Sequence, residues 1–304
     1  MFDWTDLRYF LAVARGGTTI AAAKMLGVNQ STVQRRLAAL EAYVGRELVE
    51  RRPTGLTLSD LGKELLSYAE AVEQAAMAFE RRSASSEDAL VGTIRVTCSG
   101  AFAPTVMTPL VQTFRARYPS LKVDLIVSER NLDLSKGEAD IAVRAGELRD
   151  DTLICRKLAE GSWAVYASHA YIERHGKPEK LEDIEHHSII AFAGGLAHHY
   201  FSKWLQTVAS TARVAARSES MIGILMALKN GGGVGILPVQ LGDAEPDLVR
   251  VIGPLPDLRS HFYLVVHPDL QKTLRVRTFI DFLVVAIDAY RPLLHGETRP
   301  VSAL

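Results

Sequence analysis

The sequence is poor in cysteine and has no excess of either charge. Its only cysteines, Cys98 and Cys155, are too few for a disulfide framework, which is consistent with a reducing compartment. A redox switch is one interpretation of the pair. The two residues are expected on different strands, so buried thiols are favoured. Lysine and arginine number 35, as do aspartate and glutamate, so any surface for a polyanion must be local.

Long apolar runs are also missing. The run at residues 282–287 is far too short to span a bilayer. The acidic start of the chain lacks the basic region and apolar core of a signal peptide, so we expect a cytoplasmic protein. The 304 residues are 48% apolar and 23% charged, a composition typical of globular proteins. At roughly 150 residues per domain this length predicts about two domains.

The motifs of common catalytic sites are absent. The sequence has neither a G-x-S-x-G elbow nor a P-loop. Residues 233–238 begin like a dinucleotide loop, but Pro238 stands where the third glycine belongs. The histidine pairs at 186–187 and 198–199 lack the spacing of a zinc motif. We therefore expect no metal, no cofactor and no enzymatic activity.

The first 80 residues read as helices separated by tight turns. Gly16 and Gly17 stop a first helix, and Thr18 or Thr19 can cap a second. A Gly-Val-Asn turn at residues 27–29 then leads to a third helix. This spacing fits a helix-turn-helix, whose second helix enters the major groove of DNA. A plain helical hairpin with a solvated polar face is the alternative.

The start of the third helix carries side chains suited to reading DNA. Glutamine pairs with adenine, arginine with guanine, and serine or threonine with bases or phosphates. Between residues 15 and 52 the sequence contains seven basic and three acidic residues, a local excess of four positive charges. Two arginines at the start of the following hairpin add candidates for phosphate or minor-groove contacts. The predicted DNA-binding residues are Gln30, Ser31, Thr32, Gln34, Arg35, Arg51 and Arg52.

A helix that begins near Ser59 shows apolar residues in alternating steps of four and three. That pattern is typical of a coiled-coil seam and predicts dimerisation, although packing of the helix on its own domain remains open. The predicted dimerisation residues are Leu61, Leu65, Tyr68, Val72 and Phe79. A small, polar segment at residues 83–88 reads as a linker.

From residue 92 onward the pattern changes to alternating strands and helices, which predicts α/β units around a largely parallel sheet. Helices are expected at 106–118 and 273–290. The predicted strands are residues 94–98, 121–127, 139–144, 163–167, 189–192, 234–237, 248–251 and 262–266.

The N-terminal motifs carry a resemblance to a known family. Residues 21–33, 37–41, 44–51 and 56–62 resemble, in order and nearly without gaps, the N-terminal domain of LysR-type transcriptional regulators. The resemblance is specific over the first 90 residues and more diffuse beyond them. Gln34 stands where the family usually has serine, which could change the base that is read there. The family also favours Leu-Phe before the arginine of the turn into the wing. This chain has Leu48-Val49 there, a change that core packing can absorb.

The resemblance implies a winged helix-turn-helix, a linker helix that pairs two chains, and an effector domain similar to type 2 periplasmic binding proteins. Residues 92–96, 114–119, 137–142 and 227–238 match that domain, which has two α/β lobes joined by two crossing strands. We expect the following boundaries: DNA-binding domain 1–58, linker helix and hinge 59–90, and effector domain 91–304, with lobe I at 91–165 and 268–304 and lobe II at 166–267.

The resemblance also implies an effector bound in the cleft between the lobes. Loops at strand ends and helix N-termini supply hydroxyl and N–H donors there, which favours a small organic anion. Arg144 could pair with a carboxylate, although a surface ion pair is the alternative. The candidate effector-binding residues are Ser99, Gly100, Ala101 and Phe102, followed by Ser128, Arg144, Phe192, Ser218 and Ser220.

These observations together predict a sequence-specific transcriptional regulator. Its expected partners are a pseudo-palindromic operator in double-stranded DNA, a small effector, a second copy in a homodimer or homotetramer, and RNA polymerase. The alternative is a cytoplasmic small-molecule-binding protein or enzyme whose N-terminal helices serve only dimerisation. The missing signal peptide and the missing catalytic residues count against it.

Overall fold

The structure is a computed structural model in which two units can be recognised. Contacts within the chain divide it into Met1–Ser83 and Ala84–Leu304. None of the helices in the part of the chain that is described is long and apolar enough to cross a membrane. The structure describes residues 3–52, 55–84, 90–146, 150 and 152–297.

Three helices, a two-stranded hairpin and a long fourth helix build the first unit. Their bounds in chain order are α1 (Thr5–Gly16), α2 (Thr19–Leu26), α3 (Gln30–Val44), β1 (Val49–Arg52), β2 (Gly55–Leu58) and α4 (Asp60–Ala84).

Two glycine turns set the directions of α1, α2 and α3. Gly17 and Gly27 both have a φ of 65°, a conformation that costs other residues steric energy. Thr18 caps α2, since its Oγ1 accepts a hydrogen bond of 3.0 Å from the Ala21 N–H. Asn29 precedes α3 as its N-cap residue but makes no side-chain capping bond. The predicted helix-turn-helix is therefore present.

The core of this unit lies between the three short helices. Phe10 and Leu11 of α1, Ala22 of α2 and Val33 of α3 are at most 1% exposed. Leu48, just before β1, joins them at 1%. Full burial of a large apolar side chain stabilises a fold by about 1.5–3 kcal/mol, so these contacts fix how α3 is presented.

The second unit alternates strands and helices. Its helices are α5 (Thr108–Arg117), α6 (His169–His175), α7 (Tyr200–Val208), α8 (Met221–Lys229), α9 (Val239–Gly242), α10 (Pro268–Gln271), α11 (Leu274–Ala286) and α12 (Arg291–His295). Its strands are β3 (Gly92–Cys98), β4 (Leu121–Val127), β5 (Ile141–Ala145), β6 (Ile154–Ser168), β7 (Ile189–Phe192), β8 (Val214–Ser218), β9 (Gly235–Pro238), β10 (Leu248–Ile252) and β11 (Arg259–Val266). Short helical turns occupy Ala103–Met107, Leu181–His186, Gly194–His198 and Ile287–Tyr290.

The main sheet is mixed, so the expectation of a largely parallel sheet is wrong. Its strand order is β10-β6-β11-β5-β3-β4, with β9 also paired to β6. Strand β3 runs parallel to β4 and β5. Strand β11 is antiparallel to both β5 and β6. The antiparallel pairs arise because β6 runs from the first half of the unit into the second, whereas β11 runs back in the opposite direction.

Two apolar cores lie along β6. Leu158 and Ala159, in the first part of the strand, belong to a core with Phe114 and Phe279, which we call the lobe I core. Residues 163–167 of the same strand belong to the lobe II core, together with side chains from β7, α8 and β9. The winged helix-turn-helix, linker helix and two-lobed α/β architecture are thus confirmed. The residue boundaries given above for the domains and lobes stay predictions.

Several predicted elements differ from the observed ones at their ends. The helix expected at 106–118 is split into the π-helical turn Ala103–Met107 and α5. Strand β6 begins nine residues before the predicted strand, at Ile154, and includes the polar run at residues 156–157. Strand β8 was not predicted, because its central residues are exposed and show no alternation of apolar and polar side chains.

Candidate DNA-binding surface and ligand cavity

Helix α3 presents one polar face and one buried face. Val33, Leu37 and Leu40 are at most 7% exposed and pack into the core of the first unit. Gln30, Ser31, Gln34 and Arg35, on the other side, are exposed, and Thr32 is half-buried. The Gln30 amide donates a hydrogen bond of 2.9 Å to Thr19 Oγ1, so it is oriented by the start of α2.

The hairpin β1–β2 places two arginines beside this face. Arg51 and Arg52 are both exposed at the end of β1. The Arg52 guanidinium donates to Glu50 Oε2 at 2.6 Å, which holds one of its edges. Arg51 forms no ion pair with any of the residues that the structure describes, so its charge is available to a ligand.

Helix α3 and the hairpin enclose a concave groove of about 840 Å³. Four of the predicted DNA-binding residues line it: Gln30, Gln34, Arg51 and Arg52. Ser31, Thr32 and Arg35 lie outside its lining, on neighbouring positions of α3. The polar face of α3 and the arginines of the hairpin thus share one surface, which is the geometry a helix-turn-helix with a wing requires.

Backbone contacts fix the hairpin relative to α3. Glu41 of α3 accepts hydrogen bonds from the N–H groups of Leu48, at 2.8 Å, and Val49, at 3.2 Å. The Leu56 N–H donates to the Gly17 carbonyl oxygen at 2.7 Å. Hydrogen bonds to charged acceptors stabilise by about 1.5–3 kcal/mol each, so Glu41 contributes strongly to the position of the wing.

Three of the basic residues counted in the local charge excess are held by carboxylates, among them Arg52, which donates to Glu50. Arg15 forms a two-armed pair with Glu73 of α4 at 2.6 and 2.9 Å. Arg36 donates to Asp3 at 2.8 Å. Hydrogen bonds from Thr5 and then from Arg36 lower the pKa of Asp3. Among the predicted DNA-binding arginines, Arg35 and Arg51 are exposed and form no ion pair with the described residues.

The apolar positions of α4 divide between two environments. Leu61 and Leu65 pack against the core of the first unit. Val72 is half-buried and lies beside the groove between α1 and α4. Tyr68 and Phe79 are 67% and 74% exposed. Packing on its own domain, the alternative given for this helix, thus describes the first part of the predicted seam, whereas Tyr68 and Phe79 are exposed.

The second unit holds a small cavity of about 70 Å³, partly open to solvent, where its two cores meet. Its walls come from the ends of β3, β4 and β5, from β6 and β11, and from the starts of α7 and α8. Three of the predicted effector-binding residues line it: Ser99, Ala101 and Arg144. The other lining residues are Glu129, Asn131, Ala145, Trp163, Leu196, His199, Tyr200, Phe201, Met221, Pro238, Ser260 and Phe262.

Arg144 is the charged group most deeply placed at this cavity. It is 4% exposed, and its guanidinium donates to the Ser128 carbonyl at 2.5 Å, to Thr97 Oγ1 at 2.7 Å and to the Arg130 carbonyl at 3.1 Å. Its Nε is buried without a hydrogen-bond partner. Burial lowers the pKa of Arg144, and nearby negative charge, including Glu129, opposes this shift. The surface ion pair considered for Arg144 is not found, since its partners in the described chain are neutral oxygens.

Several lining residues were missed by the sequence reasoning. Ser260 of β11 accepts a hydrogen bond of 2.8 Å from the Trp163 indole and lies 2.9 Å from the Tyr200 hydroxyl. The Phe201 ring stacks on Trp163 with centroids 4.6 Å apart. Burial raises the pKa of Tyr200, which keeps its hydroxyl protonated near neutrality. These groups give the cavity an aromatic wall with a small set of hydroxyls.

Other predicted effector residues lie outside the cavity. Phe102 is fully buried in the lobe I core, with its ring 4.4 Å from that of Phe262, because the turn after β3 directs it inward. Ser220 caps α8 through the Gly223 N–H at 3.0 Å, and Ser218 donates to the Ser220 carbonyl. The remaining residues outside the lining are Gly100, Ser128 and Phe192.

The two cysteines have different environments. Burial raises the pKa of Cys98 to about 12, so this thiol is unreactive near neutral pH. Cys155 is exposed, and the expectation of a buried thiol is wrong there, because residues 155–157 of β6 lie at the surface. Three strand spacings separate β3 from β6, about 14 Å at the usual interstrand distance, too far for a disulfide.

No group of three or more metal-ligating side chains occurs among the described residues. The histidine pairs at 186–187 and 198–199 have other surroundings. His187 lies 3.3 Å from the Tyr171 hydroxyl. His199 is stacked parallel to Phe201, and burial lowers its pKa.

Comparison with known proteins identifies the family. Residues 4–63 match the family model of bacterial regulatory helix-turn-helix proteins of the lysR family. Residues 87–286 match the LysR substrate binding domain. The chain belongs to the LysR family. It is therefore a DNA-binding transcriptional regulator with a ligand-binding domain, as the N-terminal motifs predicted. Membership of this family of regulators agrees with the expectation that the chain is not an enzyme.

Similar proteins and solved structures cover most of the chain. A helix-turn-helix-type transcriptional regulator of Xanthomonas campestris pv. campestris (strain 8004) is 29% identical over 301 residues, which cover 94% of this chain and 86% of that protein. The structure of CrgA, a LysR-type transcriptional regulator from Neisseria meningitidis, is similar with a TM-score of 0.57 at 26% identity, over 94% of this chain and 99% of that one. The structure of the Vibrio cholerae virulence activator AphB has the same fold, with a TM-score of 0.61 at 22% identity over 93% and 99% of the two chains.

Proposed function

We propose that α3 reads bases in the major groove while the hairpin β1–β2 contacts the flanking backbone or minor groove. The observation that carries this proposal is the shared groove of Gln30, Gln34, Arg51 and Arg52. Glutamine and arginine can each make two hydrogen bonds to a base, and the wing arginines supply charge for phosphates.

A second part of the proposal concerns assembly. Tyr68 and Phe79 of α4 are large, exposed side chains, separated by three helical turns. Pairing of two copies along α4 would bury them and place two copies of α3 on one operator. A symmetric pair of reading helices requires a pseudo-palindromic site, which fits a homodimer or a tetramer made of two dimers. Regulation through RNA polymerase in the cytoplasm belongs to the same proposal.

The third part concerns the ligand. The cavity with Arg144, Ser99 and the aromatic wall is the proposed effector site. Its walls come from both lobes, so a bound effector would alter their closure. The resulting change in the assembly would alter the bending of the operator or the geometry of the oligomer.

Fluorescence anisotropy with DNA from upstream of the protein's own gene tests the reading surface. Arg35→Ala is expected to weaken specific binding by about 5- to 150-fold, the effect of losing one two-armed base contact. Arg213→Ala, at an exposed arginine of the second unit, is the matched control and should bind like the wild type. Binding that is salt-sensitive, equal on random DNA and unchanged by Arg35→Ala would contradict the proposal.

A further inference from the structure

Glu129 extends a carboxylate to the loop that the sequence predicts as an anion-binding loop. The Gly100 N–H donates to Glu129 Oε1 at 3.3 Å. A Cβ added at Gly100 would lie 2.8 Å from the same oxygen, so a larger residue there would push the Glu129 side chain aside. Glu129 itself is exposed and lies directly after Ser128, in the loop between β4 and β5. The side chain can therefore leave this position without disturbing a packed core.

The same carboxylate belongs to the wall of the cavity that contains Arg144. The guanidinium of Arg144 is buried, its hydrogen bonds go to uncharged oxygens, and its Nε is unpartnered. A buried positive charge that is compensated only by neutral acceptors is stabilised by an anion nearby. Glu129 is the carboxylate of this chain that lines the cavity.

The space left beside Glu129 is small for an organic ligand. The cavity measures about 70 Å³. Ligand sites for small organic molecules usually measure about 300–1,000 Å³. A ligand with a carboxylate would need both the volume and the Gly100 donor that Glu129 now uses.

We propose that Glu129 is a built-in competitor, and that a carboxylate ligand binds to this cavity by displacing its side chain. The inference rests on the proposed effector site. Displacement exchanges one carboxylate for another at Gly100 and beside Arg144, so the charge balance of the cavity is kept. It also sets a threshold, because a weakly binding anion cannot compete with a group tethered to the same wall.

Removal of the tethered carboxylate provides the test. The full-length variant Glu129→Ala leaves a carboxylate-sized space, and free acetate or benzoate can fill it. Binding is measured by tryptophan fluorescence, since Trp163 lines the cavity, and by the midpoint of thermal unfolding, at constant ionic strength set with chloride. We expect acetate and benzoate to bind Glu129→Ala at least about tenfold more tightly than the wild type, the effect of removing one like charge.

Two further variants locate the effect. Glu182→Ala removes an exposed glutamate from the turn Leu181–His186 and should bind acetate like the wild type. Arg144→Lys in the Glu129→Ala background keeps the charge but loses the fixed guanidinium geometry, and it should weaken acetate binding again. Acetate binding that survives Arg144→Lys unchanged would place the anion elsewhere and overturn the proposal.

Other outcomes also decide the question. Equal binding of acetate and benzoate by the wild type and Glu129→Ala, or binding by neither, would show that Glu129 does not compete with a carboxylate. Ethylammonium that binds the wild type better than Glu129→Ala would make Glu129 a contact for a cationic ligand instead. The titrations contain no DNA, so they succeed or fail independently of the operator measurements described above.

Discussion

At the scale of single residues, Gly62 shows how closely α4 approaches the wing. A Cβ at this position would lie 2.1 Å from the Leu48 carbonyl oxygen. Gly62→Ala is therefore expected to force α4 and β1 apart, lowering the free energy of unfolding by about 1–3 kcal/mol. Gly195→Ala is the matched control, because nothing lies within 4 Å of the added Cβ there. Urea denaturation of both variants measures the difference, and equal stability would refute this account.

The residues that line the cavity near strand ends could be predicted only in part. The position of Ser128 after a strand predicts that it is a site residue, yet the next residue, Glu129, is the one that lines the cavity. Side chains alternate in direction along a strand, and this alternation continues past the strand end, so the residue after Ser128 points to the other side. Trp163, Tyr200 and Ser260 meet across more than 90 residues of sequence, and no local pattern reports such a contact.

At the scale of elements, α4 has a buried part and an exposed part along one helix. Its first turns bury Leu61 and Leu65 in its own unit, whereas Tyr68 and Phe79 are exposed. The period of the apolar residues was correctly recognised, but periodicity alone cannot tell an internal partner from a second chain. The helix-turn-helix was easier to predict, because Thr18 and Gly27 mark its turns by local chemistry.

The exposed part of α4 gives a prediction about assembly. The double variant Tyr68→Asp/Phe79→Asp is expected to weaken self-association at least about tenfold, since it would bury two charges in an apolar interface. Ser67→Asp, on an exposed position of the same helix, should leave association unchanged. Analytical ultracentrifugation of the three proteins measures the dissociation constant. A dimer that persists unchanged in the double variant would show that α4 does not pair two chains through these residues.

At the scale of the whole molecule, each unit has its own apolar core. The cores of the second unit draw their buried residues from 94 to 294. A fragment of residues 84–304 is therefore expected to unfold in one cooperative transition without the first unit, as followed by circular dichroism. It should keep the acetate response of Glu129→Ala and lose DNA binding. A fragment that lacks a cooperative transition would show that the second unit needs the first to fold.

The hydrogen bond from Leu56 to Gly17, together with those that Glu41 accepts, has a consequence for the operator itself. In the proposed DNA complex these bonds hold α3 and the hairpin together, so the protein fixes the distance between the bases that α3 contacts and the flanking DNA that the hairpin contacts. One base pair inserted between those two stretches of DNA moves them apart by about 3.4 Å and turns one relative to the other by roughly 35°. A half-site can therefore vary in the identity of its bases but not in its internal spacing.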